Sequence, residues 1–126
     1  DRAAFFRVRL LGCQDTLYTG FKRVYLRDSF VNGTGDFLFG VGTAVFEECE
    51  LQSARSHGYV TAAKGHNVSQ IDGAAAMCDL GWGEACEAYV IVGGRLTGAA
   101  GASGVYLGRP WHGDWATVVY VSTWMD

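Results

Sequence analysis

Two short stretches hold carboxylates where glycine and apolar residues dominate. "GCQDTLY" (residues 12–18) sets Gln14 beside Asp15, and "GTGDFLFG" (residues 33–40) holds Asp36 among glycines and aromatics. The two aspartates are 21 residues apart. If that interval is one turn of a stacked repeat, the carboxylates lie about one strand spacing, ~4.8 Å, from each other. Two carboxylates that close cannot both ionise comfortably, so one is held as an acid and the other as an anion. The anion could attack a carbonyl and form a covalent intermediate while the acid shuttles a proton. The Gln14 amide could donate to the developing oxyanion. A plainer reading has Asp15 capping one turn and Asp36 solvating another, since aspartate is a common turn residue. The two stretches alone leave both readings open.

The elements that would have to position these residues show a repeat. "VRLLG" (8–12), "SFVNG" (29–33), "CELQS" (49–53) and "GRLTG" (94–98) each place an aliphatic residue two positions before Gly or Ser. The aliphatic residues are Leu10, Val31, Leu51 and Leu96, with intervals of 21, 20 and 45 residues. The last interval reads as two such steps with a small insertion. A period near 20 with strand alternation inside each copy is the pattern of a stacked β-coil, which buries its inward face only against the coils above and below. Strands are expected over residues 5–11, 23–31, 36–39, 44–51, 59–62, 88–96, 105–107 and 117–123. The stretch 64–87 reads as an elaborated loop within one domain that spans residues 1–126.

Composition agrees with an all-β chain. Of its 126 residues, 49% are hydrophobic, 18 are glycine and one is proline, which suits short strands joined by tight turns. The net charge of -3 with scattered Lys and Arg gives no basic stripe, so no nucleic-acid partner is expected. No apolar run is long enough to span a bilayer and no signal-peptide pattern opens the chain, so no membrane partner is expected. Cys13, Cys49, Cys78 and Cys86 form no CxxC pair, which disfavours a zinc ribbon. Cys78 and Cys86 could close a small loop in an oxidising compartment or remain buried thiols; Cys13 and Cys49 read as buried free thiols. His57, His66 and His112 have no metal-ligand spacing and read as exposed loop residues.

"GCQDTLY" resembles the "GYQDTLY" motif of pectin methylesterases, with Cys13 in place of a tyrosine. "GTGDFLFG" resembles their "GTVDFIFG" motif, and "LGRPW" (107–111) matches a third motif unchanged. The three occur in the family's order, and "DRAAFF" and "VVYVSTWMD" are similar to its flanking segments. The resemblance implies a right-handed parallel β-helix (solenoid), truncated at both ends. It implies that Asp36 is the nucleophile on a galacturonate methyl ester, Asp15 the general acid and then base, Gln14 an oxyanion donor, and Arg109 the group that holds Asp36 ionised and aimed. Trp111, Tyr18 and Phe39 would line the sugar cleft, although as aromatics they also fit core packing. The implied substrate is methyl-esterified pectin (homogalacturonan), with no metal and no cofactor, in a secreted monomer of the extracellular space or cell wall. A further active-site glutamine and a C-terminal Gly-Trp segment of the family have no counterpart here, as expected of an internal fragment.

Other chemistries fit less well. "GASGV" around Ser103 lacks the second glycine of G-x-S-x-G, and no G-x-G-x-x-G occurs. Two sequons, Asn32-Gly33-Thr34 and Asn67-Val68-Ser69, are of a kind that arises by chance. A catalytically impaired fragment or a non-catalytic polysaccharide-binding β-solenoid is the main alternative; binding alone needs no stacked carboxylates. A glycoside hydrolase also uses two carboxylates but needs no neighbouring amide.

Overall fold

The computed structural model describes residues 2–20, 22–65, 88–112 and 116–126. The chain winds as a coil, each full turn adding one strand to each of three parallel sheets. The first turn is β1 (Arg2–Phe6), β2 (Arg9–Leu11) and β3 (Leu17–Tyr18); the second is β4 (Arg23–Arg27), β5 (Phe30–Gly33) and β6 (Leu38–Gly40). The third is β7 (Thr43–Glu47), β8 (Glu50–Ser53) and β9 (Tyr59–Ala63), and the fourth is β10 (Ala88–Val92), β11 (Arg95–Gly98) and β12 (Tyr106–Pro110). A fifth begins with β13 (Thr117–Val121) and β14 (Trp124–Met125). The sheets run β1-β4-β7-β10-β13, β2-β5-β8-β11-β14 and β3-β6-β9-β12. This is the parallel β-helix that the repeat predicts.

The repeat is a buried ladder. Leu10, Val31, Leu51 and Leu96 are successive register partners, and Val31 and Leu51 are fully buried. On the neighbouring sheet Leu26, Phe46 and Ile91 form a second buried ladder. Burying each such side chain stabilises the fold by roughly 1.5–3 kcal/mol. Because β8 pairs directly with β11, the 45-residue interval is one coil step and not two. The additional residues fall between β9 and β10. Most of the loop reading for 64–87, with His66, Cys78, Cys86 and the sequon at Asn67, lies outside the described residues.

Several predicted strands divide. Residues 5–11, 23–31, 44–51 and 88–96 each span two strands with a corner between them. The corner residues Arg7, Asp28, Glu48 and Gly93 all have φ between 50° and 62°. Left-handed backbone costs a non-glycine residue roughly 1–2 kcal/mol. The coil-to-coil ladder offsets it, because Arg7, Asp28, Glu48 and Gly93 each donate their N–H to the carbonyl of a residue on the next coil at 2.9–3.1 Å. Cys49 is buried as expected, and burial raises its thiol pKa. Cys13 is exposed, contrary to expectation. It sits on the corner between β2 and β3, on the first coil, which stacks on one neighbour only.

Candidate active site

The site lies on the third sheet and the corner that feeds it. Gln14 bridges Gly35 in parallel register and Leu17 pairs Leu38, so Asp15 and Asp36 face each other across one coil step. Asp15 donates its backbone N–H to Gly35 at 3.2 Å. Both aspartates are left-handed, with φ of 58° and 50°. Asp36 therefore heads its strand from a corner instead of lying within a strand, as the 36–39 reading had it. Short side chains that bond locally tolerate this conformation best. Gln14 and Asp15 are exposed, whereas Asp36 is only 7% exposed.

A guanidinium accompanies the enclosed carboxylate. Arg109 donates through Nε to Asp36 Oδ1 at 2.9 Å and through Nη2 to Oδ2 at 2.5 Å. This is the paired fork that fixes a carboxylate in one plane. The hydrogen bond that Arg109 donates to Asp36, then the charge of Asp36, raises the Arg109 pKa above its ordinary value, with Tyr59 and Asp15 contributing less. Arg109 thus remains a cation with one bound carboxylate and a second nearby.

Arg109 makes this contact from a distance. Phe39 on β6 pairs with Ala62 on β9, and Ala62 pairs with Arg109 on β12. The arginine crosses a whole coil, about two strand spacings or ~10 Å between backbones, to reach the corner before β6. Ala62 leaves the room, and is itself 2% exposed. Trp111 crosses the same coil: its backbone N–H donates to the Ala63 carbonyl at 2.9 Å while its ring meets Phe39 edge-on at 5.7 Å. Tyr18 continues the row, 5.0 Å from Phe39 and 54% exposed. The three aromatics named from sequence thus form a continuous surface beside the carboxylates. Tyr18 is the exposed ring of the three, and Phe39 and Trp111 are half-buried.

Three contacts carried no sequence signal. The Lys64 ammonium lies over the Trp111 ring at 5.6 Å. The Arg109 guanidinium lies over Tyr59 at 5.3 Å, and Tyr59 in turn stacks on Tyr106 at 5.0 Å and 21°. His57 and His112 are exposed, as expected. Asn32 of the first sequon uses its amide nitrogen to bond the Gln52 side chain at 3.0 Å.

The pectinesterase family model matches residues 1–126. The chain is 36% identical over its whole length to pectinesterase 31 of Arabidopsis thaliana, covering 34% of that protein. It is 34% identical to probable pectinesterase A of Aspergillus fumigatus over 88% of the chain and 30% of that protein. The crystal structure of the pectin methylesterase from Aspergillus niger superposes with a TM-score of 0.70 and 31% identity, over 91% of this chain and 34% of that one. A second neighbour is an aspartate-to-alanine pectin methylesterase variant in complex with a hexasaccharide, with TM-score 0.70, 28% identity and coverage of 98% and 38%. The chain spans about a third of the length of the relatives it matches. A full-length family match, an all-parallel β-helix and these relatives together lead to one statement: this chain belongs to the pectinesterase family.

Proposed function

We propose that the protein carrying this chain removes methyl esters from pectin. The observation that carries the proposal is the bidentate Arg109–Asp36 pair set one coil step from Asp15 and beside the aromatic row. An ionised, oriented carboxylate next to a second carboxylate suits attack on an ester and proton transfer at the same centre.

In the proposed sequence, an Asp36 oxygen attacks the ester carbonyl carbon of a galacturonate unit. The carbonyl oxygen takes the negative charge and accepts a hydrogen bond from the Gln14 amide. The C–O bond to the methoxy group then breaks while Asp15, protonated, gives its proton to the leaving oxygen, and methanol departs. This leaves an anhydride between Asp36 and the sugar carboxyl. Asp15, now ionised, takes a proton from water, which attacks that carbonyl and frees Asp36. The balance is one ester and one water to one carboxylic acid and one methanol. Tyr18, Phe39 and Trp111 supply the surface on which the polymer rests. The protein would act as a monomer in the extracellular space or cell wall, where pectin lies.

The test is methanol release from methylated pectin by the complete protein, wild type against Asp36→Ala. Wild type is expected to release methanol and the variant none. Pectin binding without methanol release in wild type would instead establish a non-catalytic polysaccharide-binding solenoid. A variant as fast as wild type would remove Asp36 from the chemistry.

A further inference from the structure

The Arg109 side chain is 46% exposed, although it must hold a carboxylate that is almost enclosed. It also crosses a full coil to do so. A long side chain bound at its tip and partly open to water along its length loses rotamer freedom, and something must restrict it. Ala62, directly beneath it in register, is too small to do so. The Arg109 Cζ lies over the Tyr59 ring, 5.3 Å from its centroid. Tyr59 opens β9, the coil that Arg109 crosses, and its register partner Tyr106 stacks on it nearly parallel at 5.0 Å. Tyr106 is half exposed, so Tyr59 contacts both a solvent-facing ring and the cation.

We propose that Tyr59 is a positioning residue for Arg109: its ring face, backed by Tyr106, holds the guanidinium in the plane that binds both oxygens of Asp36. The proposal rests on the esterase reading above. The interaction belongs to the ring and not to the hydroxyl. A cation over an aromatic face at a partly exposed site gains enough to shift a rate by roughly 3- to 30-fold when the ring is lost. Its effect reaches the reaction only through Arg109, so it belongs in kcat and not in substrate affinity.

The experiment uses the complete protein and methylated pectin, with kcat and KM measured for Tyr59→Leu, Tyr59→Phe and Tyr59→Met, each also in the Arg109→Lys background. Tyr59→Leu and Tyr59→Met are expected to lower kcat about 3- to 30-fold with KM little changed, and Tyr59→Phe to retain most of the rate. In the Arg109→Lys background the same changes should cost little more, because lysine has no two-pronged fork whose orientation the ring could fix. Tyr59→Met replaces the ring with a flexible chain of sufficient bulk, and decides the matter if Tyr59→Leu does not fold. A Tyr59→Phe loss equal to that of Tyr59→Met, a raised KM at unchanged kcat, or fully additive losses with Arg109→Lys would each overturn the proposal. Asp36→Ala separates the two levels. If it remains as active as wild type, the esterase reading fails; if it is inactive and the Tyr59 variants match wild type, only the role of Tyr59 fails.

Discussion

Asp36 surrenders most of its hydration and receives two charge-assisted hydrogen bonds from one side chain in return. That exchange makes the identity of the cation matter. Removing one partner of a fully buried pair leaves an uncompensated charge, a loss of roughly 3–5 kcal/mol, and with Arg109 46% exposed the loss here is smaller. Arg109→Lys avoids that loss but gives up the planar fork, so the carboxylate keeps its counter-charge and loses its fixed orientation. Each hydrogen bond to a charged group contributes about 1.5–3 kcal/mol. Loss of one such bond predicts a fall in turnover of roughly 10- to 100-fold, with KM within about threefold of wild type. Steady-state kinetics on methylated pectin check this. Unchanged turnover with a raised KM would place Arg109 in substrate binding instead of nucleophile alignment.

At the scale of elements, β9 works as a spacer. Ala62 lies in register beneath Arg109, whose side chain reaches from β12 to the corner before β6, and Trp111, just after β12, meets Phe39 on β6. Ala62→Val adds two methyl groups where the arginine passes. Overpacking of this kind costs about 1–3 kcal/mol, and here the flexible arginine is the part free to yield. The variant is expected to fold with its melting temperature lowered by roughly 4–12 °C, at ~4 °C per kcal/mol for a domain of this size, and to lose turnover as Arg109→Lys does. A variant that melts lower yet turns over like wild type would show that Arg109 passes elsewhere. The sequence announces this architecture unevenly. The ladder of Leu10, Val31, Leu51 and Leu96 is legible because each aliphatic residue must bury against the next. The corners are not, because left-handed backbone falls on Arg7 and Glu48, which carry none of the glycine or asparagine signal of a turn. β3, with two residues, is too short for alternation to show. The placement of Asp15 against Asp36 follows from the period. The pairing of Arg109 with Asp36, 73 residues apart, came from family resemblance. The roles of Tyr59 and Ala62 depend on register across coils, which no local pattern encodes.

At the scale of the whole molecule, stability is close to a sum of coils and the contacts between neighbours. The last described contact of the first sheet is therefore a place where the stack can open. Tyr120 on β13 extends the buried ladder of Leu26, Phe46 and Ile91, pairing with Ile91 in register. Its hydroxyl donates to the Leu107 carbonyl at 2.7 Å and so ties β13 to β12. Burial pushes this hydroxyl up to about 12, and the nearby Thr61 hydroxyl acts in the opposite direction. The raised value belongs to the folded state, while the unfolded chain keeps the ordinary value near 10. The folded protein thus holds this proton more tightly than the unfolded one. Its contribution is fully present below about pH 10 and is lost as pH rises toward 12, because only the unfolded state then ionises freely. A difference of two pKa units is worth at most about 3 kcal/mol. Tyr120→Phe keeps the ring in the ladder and removes the titration. Denaturant unfolding at pH 8 should show the variant less stable than wild type by about 1 kcal/mol, the worth of an ordinary hydrogen bond. Between pH 10 and 12 the order should narrow and then reverse, as wild type pays the ionisation penalty and the variant does not. Parallel decline of the two proteins across that range would mean that Tyr120 ionises as readily folded as unfolded, and that the coil formed by β13 opens to water without unfolding the rest.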